Sequence, residues 1–344
     1  MAATLNTALQ GARVLVTGAT GFTGSALVRR LEARGARVRA IARPTSDIDA
    51  LAGLGIEWFR GEVDDASTIA AAARDVEVVF HVAAAYRQAR STEDTYRRVH
   101  VRSTERLAQA ALANPAFKRF VHVSTIGVHG HIAYPPATES SPFDPDDDYQ
   151  RTKAEAEIWI REFAATQGLP VTIVRPCAIY GPGDTRLLKL FRMVARGVFP
   201  LLGRSRGLYH LIHVDDLVEA LLVAAVSPAA LNETFIVGNR QATTLERLAH
   251  IVAAAFGRPV RVVRLPVWPF MAAAVACEYV CRPLGLEPPI YRRRVAFYTK
   301  DRAFDTTKLR DRLGFTPRLS NEEGLTQTAR WYVDQGWIKL GGRR

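Results

Sequence analysis

From Arg13 to Pro176 the chain alternates between two kinds of hydrophobic pattern. The runs RVLVT (13–17), RVRAIA (37–42), IEWFR (56–60), VEVVFHVA (76–83), RFVHVST (119–125) and VTIVRP (171–176) are rich in β-branched residues and apolar almost throughout. Between them lie stretches such as GSALVRRLEARG and RSTERLAQAALA, whose apolar residues recur at helical spacing. Strands apolar on both faces, alternating with helices, predict an α/β domain with a doubly wound parallel sheet. After Gly181 the pattern loosens. A helical piece, TRLLKLFRMVARG, precedes LYHLIHVDDLVEALLVAA, which reads as a return to the sheet; from about Thr243 the chain is mostly helical with proline breaks. The expected division is a sheet domain of residues 10–182 and 208–240, and a smaller, mostly helical lobe of 183–207 and 241–344.

The first strand runs straight into TGATGFTG and then a helix. Gly18, Gly21 and Gly24 have the spacing in which one glycine makes a tight turn, one admits a pyrophosphate and one lets helix and strand pack closely. The helix start offers free N–H groups to the phosphates. Placed between a buried strand and an amphipathic helix, the motif predicts a Rossmann-type dinucleotide site. The second strand ends at AIARPTSD, where a site for a ribose without a 2′-phosphate usually carries an acid. Arg43 stands there instead and suits a 2′-phosphate, which favours NADP(H) while leaving NAD(H) open. Glu62 and Val63, after the third strand, are placed to meet the adenine edge.

Composition constrains the setting. The chain has 344 residues, is 48% hydrophobic and 23% charged, and so can bury a full core plus an accessory lobe. MAATLNTALQ lacks the basic and apolar regions of a secretory leader. Cys177, Cys277 and Cys281 read as plain core thiols, and together these features suit a cytoplasmic protein with no metal site. The net charge of +12 admits nucleic acid or an anionic surface as partner. The arginines are scattered, apart from Arg292–Arg294 and Arg343–Arg344, and no nucleic-acid-binding signature accompanies them. A solvated basic surface, open to acidic small molecules, is the reading.

The segment DDDYQRTKAEAE places Tyr149 and Lys153 one helical turn apart on the same face. The aspartates before them suit a turn and a helix N-cap. With VLVTGATGFTG, VVFHVAA, FVHVSTIGVHG, VRPCAIYGPGD and HVDDLVEALLVAA in this order, the chain resembles the extended branch of the short-chain dehydrogenase/reductase superfamily over most of its length. The resemblance implies an NAD(P)-dependent oxidoreductase with Tyr149 as general acid/base. Lys153 would lower the phenol's affinity for its proton and hold the nicotinamide ribose. Thr125 would hydrogen-bond the substrate oxygen, with Ser124 as its understudy. It also implies that Thr20, Phe22, Thr23, Ala83, Ala84, Pro176 and Ile179 line the cofactor, that Tyr86 borders the substrate, and that the chain forms a homodimer through helices near 95–113 and 149–167. Two departures stand out: His100 replaces a frequent Asn, which puts its support of the active-site helix in question, and His129 replaces a frequent Tyr, which reads as inconsequential.

Substrate class divides the expectations. Relatives that bind nucleotide sugars commonly present an Asn and an Arg to the diphosphate where this chain has Ala178 and Tyr209; neither can replace that function, which leaves Arg204 or Arg206 as substitutes. The segment LPVWPFMAAAVACEYVCRPLGLEPP is too short and interrupted for a membrane span. It resembles a segment of 3β-hydroxysteroid dehydrogenase and sterol dehydrogenase relatives, and it suits a steroid- or flavonol-like substrate or a peripheral membrane contact. The leading expectation is hydride transfer on a hydrophobic secondary alcohol or ketone. A nucleotide-sugar epimerase, dehydratase or reductase is the alternative, and a non-catalytic dinucleotide sensor a third.

Overall fold

The β-branched runs become strands: β1 (Arg13–Thr17), β2 (Arg37–Ala42), β3 (Glu57–Arg60), β4 (Val78–His81), β5 (Arg119–Val123), β6 (Val171–Pro176), β7 (Ala178–Tyr180), β8 (Val198–Leu202), β9 (Leu208–Tyr209), β10 (Leu211–His213), β11 (Glu233–Val237), β12 (Thr243–Thr244) and β13 (Arg261–Leu265). The helices are α1 (Phe22–Glu32), α2 (Ala66–Ala73), α3 (Glu93–Arg97), α4 (Ser103–Leu112), α5 (Asp148–Gln167), α6 (Leu188–Ala195), α7 (Val214–Val226), α8 (Leu245–Ala255), α9 (Val267–Cys281), α10 (Thr307–Leu313) and α11 (Asn321–Asp334). A π-helical turn, Arg98–Arg102, joins α3 to α4. This computed structural model describes residues 8–85, 92–203, 207–281, 286, 289–290, 292, 295 and 302–340.

Seven strands form one sheet in the order β11–β6–β5–β4–β1–β2–β3. Every pairing in it is parallel, with Val14 opposite Val38 on one side and Val78 on the other. The expected Rossmann-type sheet is therefore present. β3 differs from its expectation as a buried strand: it is the sheet edge, and Glu57 and Arg60 face solvent. β4 and β5 stop short of their predicted ends, because Val82–Ala84 and Ser124–Thr125 leave the ladder to wall the cleft described below. β11 lies within the expected return segment and adds a strand there beyond the six predicted runs.

One sheet face packs Val14, Val16 and Phe80 against Leu27 and Leu31 of α1 and Leu217 and Leu221 of α7. Arg30 of α1 and Arg34 in the turn after it clasp Glu219 of α7 at 2.5 and 2.7 Å, closing that layer at its rim. The opposite face packs Leu15, Val79 and Phe120 against Ile69 of α2, Leu107 and Ala111 of α4, and Ile160 of α5. Each such leucine contributes about 1.5–3 kcal/mol by leaving water.

A second core joins Phe191 of α6, Leu248 and Val252 of α8, and Leu325 and Tyr332 of α11. The Tyr332 hydroxyl donates to the Asp184 carbonyl, and a reciprocal Ser320–Glu323 capping box starts α11. β8 and β13 pair in parallel beside this core, which adds strand structure to a lobe expected to be mostly helical. Cys177 is buried, but Cys277 and Cys281 are half-buried on α9, so only the first is a core thiol.

Candidate active site

The strand order reverses between β1 and β4, so the loops that follow them diverge and leave a crevice at the carboxyl ends. A cleft of about 1190 Å³ lies there. Its walls include every proposed cofactor residue: Gly18, Thr20, Gly21, Phe22, Thr23, Gly24, Arg43, Glu62, Val63, Ala83, Ala84, Tyr149, Lys153, Pro176 and Ile179. Ser124, Thr125, Ala178 and Tyr209 line it as well. Tyr86, Arg204 and Arg206 lie outside the described residues.

At one end the glycine loop leaves no room for side chains. Gly18 has φ +73°, and a Cβ there would stand 2.9 Å from the Ala83 backbone. A Cβ on Gly24 would stand 2.0 Å from the Gly18 carbonyl oxygen. α1 starts without a side-chain cap and without an acid in its first turn. The amides of Phe22, Thr23 and Gly24 thus lack both an intrahelical acceptor and a competing carboxylate. This close backbone approach and positive helix end fit the diphosphate of a dinucleotide. Arg43 and Ser46 line the cleft further out, on a turn held by the Arg60 guanidinium, which donates to their carbonyls at 3.2 and 3.1 Å.

The other end is built on α5. Asp147 caps the helix by accepting from the Gln150 amide at 2.8 Å, as the aspartate run suggested. Tyr149 follows in the first turn, its ring edge-on to His100 with centroids 5.3 Å apart. One turn on, Lys153 is 1% exposed and donates to the Val123 carbonyl at 3.0 Å, with the Ala83 carbonyl at 3.5 Å. Burial pushes the Lys153 ammonium down from its ordinary 10.5 to about 8, against the pull of Glu157. Thr125 is half-buried, and its hydroxyl oxygen accepts from the Gly127 amide at 3.0 Å. Ser124 is buried, its hydroxyl without a hydrogen-bond partner among the described residues. The cleft therefore brings together Thr125, Tyr149 and Lys153.

Beneath these residues lies a layer of buried polar groups that the sequence did not announce. Thr152 donates its hydroxyl proton to the Asp148 carbonyl at 2.7 Å, so the 2.8 Å contact with His100 has Nδ1–H of His100 donating. His100 Nε2 then accepts from the Ala85 amide at 3.1 Å. This histidine ties the Tyr149 helix to the loop after β4, which settles its doubtful support of that helix. His81 is fixed by the same reasoning. Ser103 donates to the Val99 carbonyl (2.6 Å), so His81 Nε2–H donates to Ser103 (3.1 Å) and Nδ1 accepts from Thr17 (2.7 Å). His122 lies beside it, ring centroids 5.7 Å apart, with both nitrogens buried and unpartnered.

The His129 position also carries weight, contrary to expectation. Arg175, 1% exposed, donates to His129 Nε2 at 2.9 Å and grips the fully buried Glu157 carboxylate at 2.6 Å. Arg161 adds a second cation to Glu157 at 2.8 Å. Polar residues on apolar strands were the available signal: His81, His122 and Arg175 interrupt β4, β5 and β6.

The remaining end of the cleft is mixed in character. Ala178, Tyr209 and Met271 line it, and so do Arg186, Arg292 and Arg302. The cleft therefore has cations despite the two missing diphosphate partners. Arg186 is engaged by Asp184 at 2.8 Å and by the Ile179 carbonyl at 2.7 Å, and Arg292 by Glu278 at 3.0 Å.

Comparison with known proteins agrees with this architecture. Sterol demethylase protein B of Methylococcus capsulatus is 30% identical, with 94% of this chain and 99% of that protein covered. The 3 beta-hydroxysteroid dehydrogenase/Delta 5→4-isomerase of Mycobacterium tuberculosis is 29% identical, with 93% and 90% covered. The structure of a dTDP-glucose 4,6-dehydratase from Streptomyces venezuelae, solved with NAD bound, superposes with a TM-score of 0.73 at 28% identity, covering 94% of this chain and 98% of that one. The sequence model of the NAD dependent epimerase/dehydratase family matches residues 14–238. With the dinucleotide cradle and the Tyr149–Lys153 helix in one cleft, the chain belongs to the NAD dependent epimerase/dehydratase family and is an NAD(P)-dependent oxidoreductase.

Proposed function

We propose that this protein interconverts a secondary alcohol and its ketone on a hydrophobic, steroid- or flavonol-like substrate, with NADP(H) as the preferred cofactor. One observation carries the reading: Thr125, Tyr149 and Lys153 share a cleft with the glycine loop at one end and Met271 of the apolar helix α9 at the other. The substrate oxygen would sit between the hydroxyls of Thr125 and Tyr149. Thr125 holds that oxygen, and Tyr149 takes or gives the hydroxyl proton. The Lys153 ammonium favours the ionised phenol electrostatically and holds the ribose. His100, braced at both nitrogens, fixes the first turn of α5 so that the phenol keeps its aim. A bound nicotinamide supplies the hydride donor or acceptor. The Phe22–Gly24 amides receive the diphosphate, and Arg43 with Ser46 is placed to receive a 2′-phosphate.

A nucleotide-sugar substrate is the second reading, and Arg186, Arg292 and Arg302 along the cleft favour it. A thermal-shift and turnover panel of sterols, flavonoid alcohols and UDP-sugars, run with NADP⁺, decides between them. Micromolar response to an apolar alcohol with weak UDP-sugar binding is expected, a scale of about −8 kcal/mol. Saturable UDP-sugar binding without response to any apolar alcohol would install the second reading.

A further inference from the structure

α9, VWPFMAAAVACEYVC, presents an apolar face that stands exposed among the described residues. It has no basic residue and one acid, Glu278, which is 6% exposed and accepts from the Arg292 amide at 2.9 Å and its Nε at 3.0 Å. The outward face is therefore uncharged. Only Ala274 and Glu278 of the helix are buried. Trp268 is 74% exposed and Tyr279 83%, with Val275 at 45% and Val280 at 58%. With Leu286 just beyond, five of the nine exposed large apolar side chains among the described residues fall on this one segment.

Trp268, Val275 and Tyr279 border a shallow apolar groove along the helix, and Met271 forms part of it. Met271 also lines the active-site cleft. One side chain is thus the common wall between the outer groove and the site.

We infer that α9 docks on an anionic membrane surface, and that a lipophilic substrate passes from the bilayer by way of Met271 into the cleft. Charge complementarity favours this occupant: the chain carries +12, and Arg293 and Arg294 follow α9 in sequence. Trp268 and Tyr279 combine apolar rings with a polar edge, which suits the headgroup boundary. Fifteen residues span about 22 Å of helix, short of the ~30 Å hydrocarbon layer. No helix among the described residues is long and apolar enough to cross a membrane, so α9 would lie in the interface plane. A second copy is a poorer fit, because a stable protein interface engages roughly 20–30 residues a side and this stripe is one helix wide. Substrate passage rests on the hydrophobic-substrate reading; the docking does not.

The test is co-sedimentation of the full chain with phosphatidylcholine vesicles, with and without phosphatidylglycerol, at low and high salt. Binding is expected to need the anionic lipid, to weaken at least ten-fold in high salt, and to be lost in Trp268→Ser/Tyr279→Ser. That variant should keep wild-type turnover of a water-miscible ketone without vesicles, which also shows that it folds. Absence of binding to the anionic vesicles, or binding indifferent to the double substitution, overturns the docking. A dimer in sedimentation velocity that the double substitution dissociates assigns the face to a second copy and overturns it equally. Because vesicle binding needs no substrate, a failed substrate panel leaves this result readable.

Discussion

At the scale of single residues, Tyr149 and Lys153 make separable predictions. Tyr149→Phe keeps the ring that packs on His100 and removes only the hydroxyl, so cofactor affinity should hold while turnover falls ~10²–10⁴-fold. Turnover within a few-fold of wild type would remove Tyr149 from the chemistry. Lys153→Ala should lower both turnover and cofactor affinity. Lys153 also has a stability signature. Its folded-state value of about 8 lies below the ordinary 10.5, so between these values the unfolded chain binds a proton that the folded chain does not. Stability of the ligand-free protein should therefore gain from this group as pH rises from 8 to 10.5, by up to on the order of 3 kcal/mol. Lys153→Met should remove that rise in urea titrations across the window, and stabilise the ligand-free protein at pH 7.

At the scale of elements, the buried histidines differ in what they do. His81 links β1, β4 and α4 through Thr17 and Ser103, so His81→Leu should leave the buried Thr17 hydroxyl proton without its acceptor, take a donor from Ser103 and cost about 1–3 kcal/mol. His122, with no partner at either nitrogen, should tolerate Leu at little cost or with a gain. Equal destabilisation by the two substitutions in chemical denaturation would refute this distinction. The sequence showed the strands and the α5 pair clearly, because β-branched runs and a four-residue spacing are local signals. It did not show the polar layer, since whether a histidine in an apolar strand is satisfied depends on what packs over it from distant segments. His100 was questioned because the residue type was unexpected, and only the three-dimensional arrangement of Thr152 and Ala85 reveals its bracing role. On the outside of α5, Ile158 is 54% exposed and Trp159 stacks on Phe163 with centroids 4.8 Å apart. We propose this face as the homodimer contact; light scattering should give a dimer at micromolar concentration that Ile158→Asp converts to monomer.

At the scale of the whole molecule, pH sets a limit on folding. His81, His100 and His122 are held well below their ordinary 6.5 by burial, and His129 is lowered to about 4. As pH falls through 6.5 the unfolded chain takes up protons that these side chains refuse, so folded stability should fall. The slope is at most about 1.4 kcal/mol per pH unit for each histidine. Urea midpoints between pH 6.5 and 5 should show a steep decline, shallower by about one proton in His122→Leu. We trace the proposed NADP(H) preference to the assembled crevice, where Arg43 and Ser46 line the cleft beside the glycine loop. Arg43→Asp should shift preference from NADPH toward NADH; a wild-type protein that already prefers NADH would refute the 2′-phosphate assignment.

The wide turn at Arg98–Arg102 bears on how this chain can vary in length. It accommodates one residue more than an α-helix of the same rise, and the Ser103 backbone amide donates to the Arg98 carbonyl across it. Removing one residue there would let the segment relax into a regular helix that keeps its flanks in phase but re-aims the residues of the wide turn itself. His100 would turn away from Thr152 and Ala85, while Leu107 and Ala111 held α4 in place on the sheet. Deletions in this stretch should therefore be far less tolerable than substitutions, even at its exposed arginines. Insertions should be accepted more readily past Leu112, where the helix has already ended.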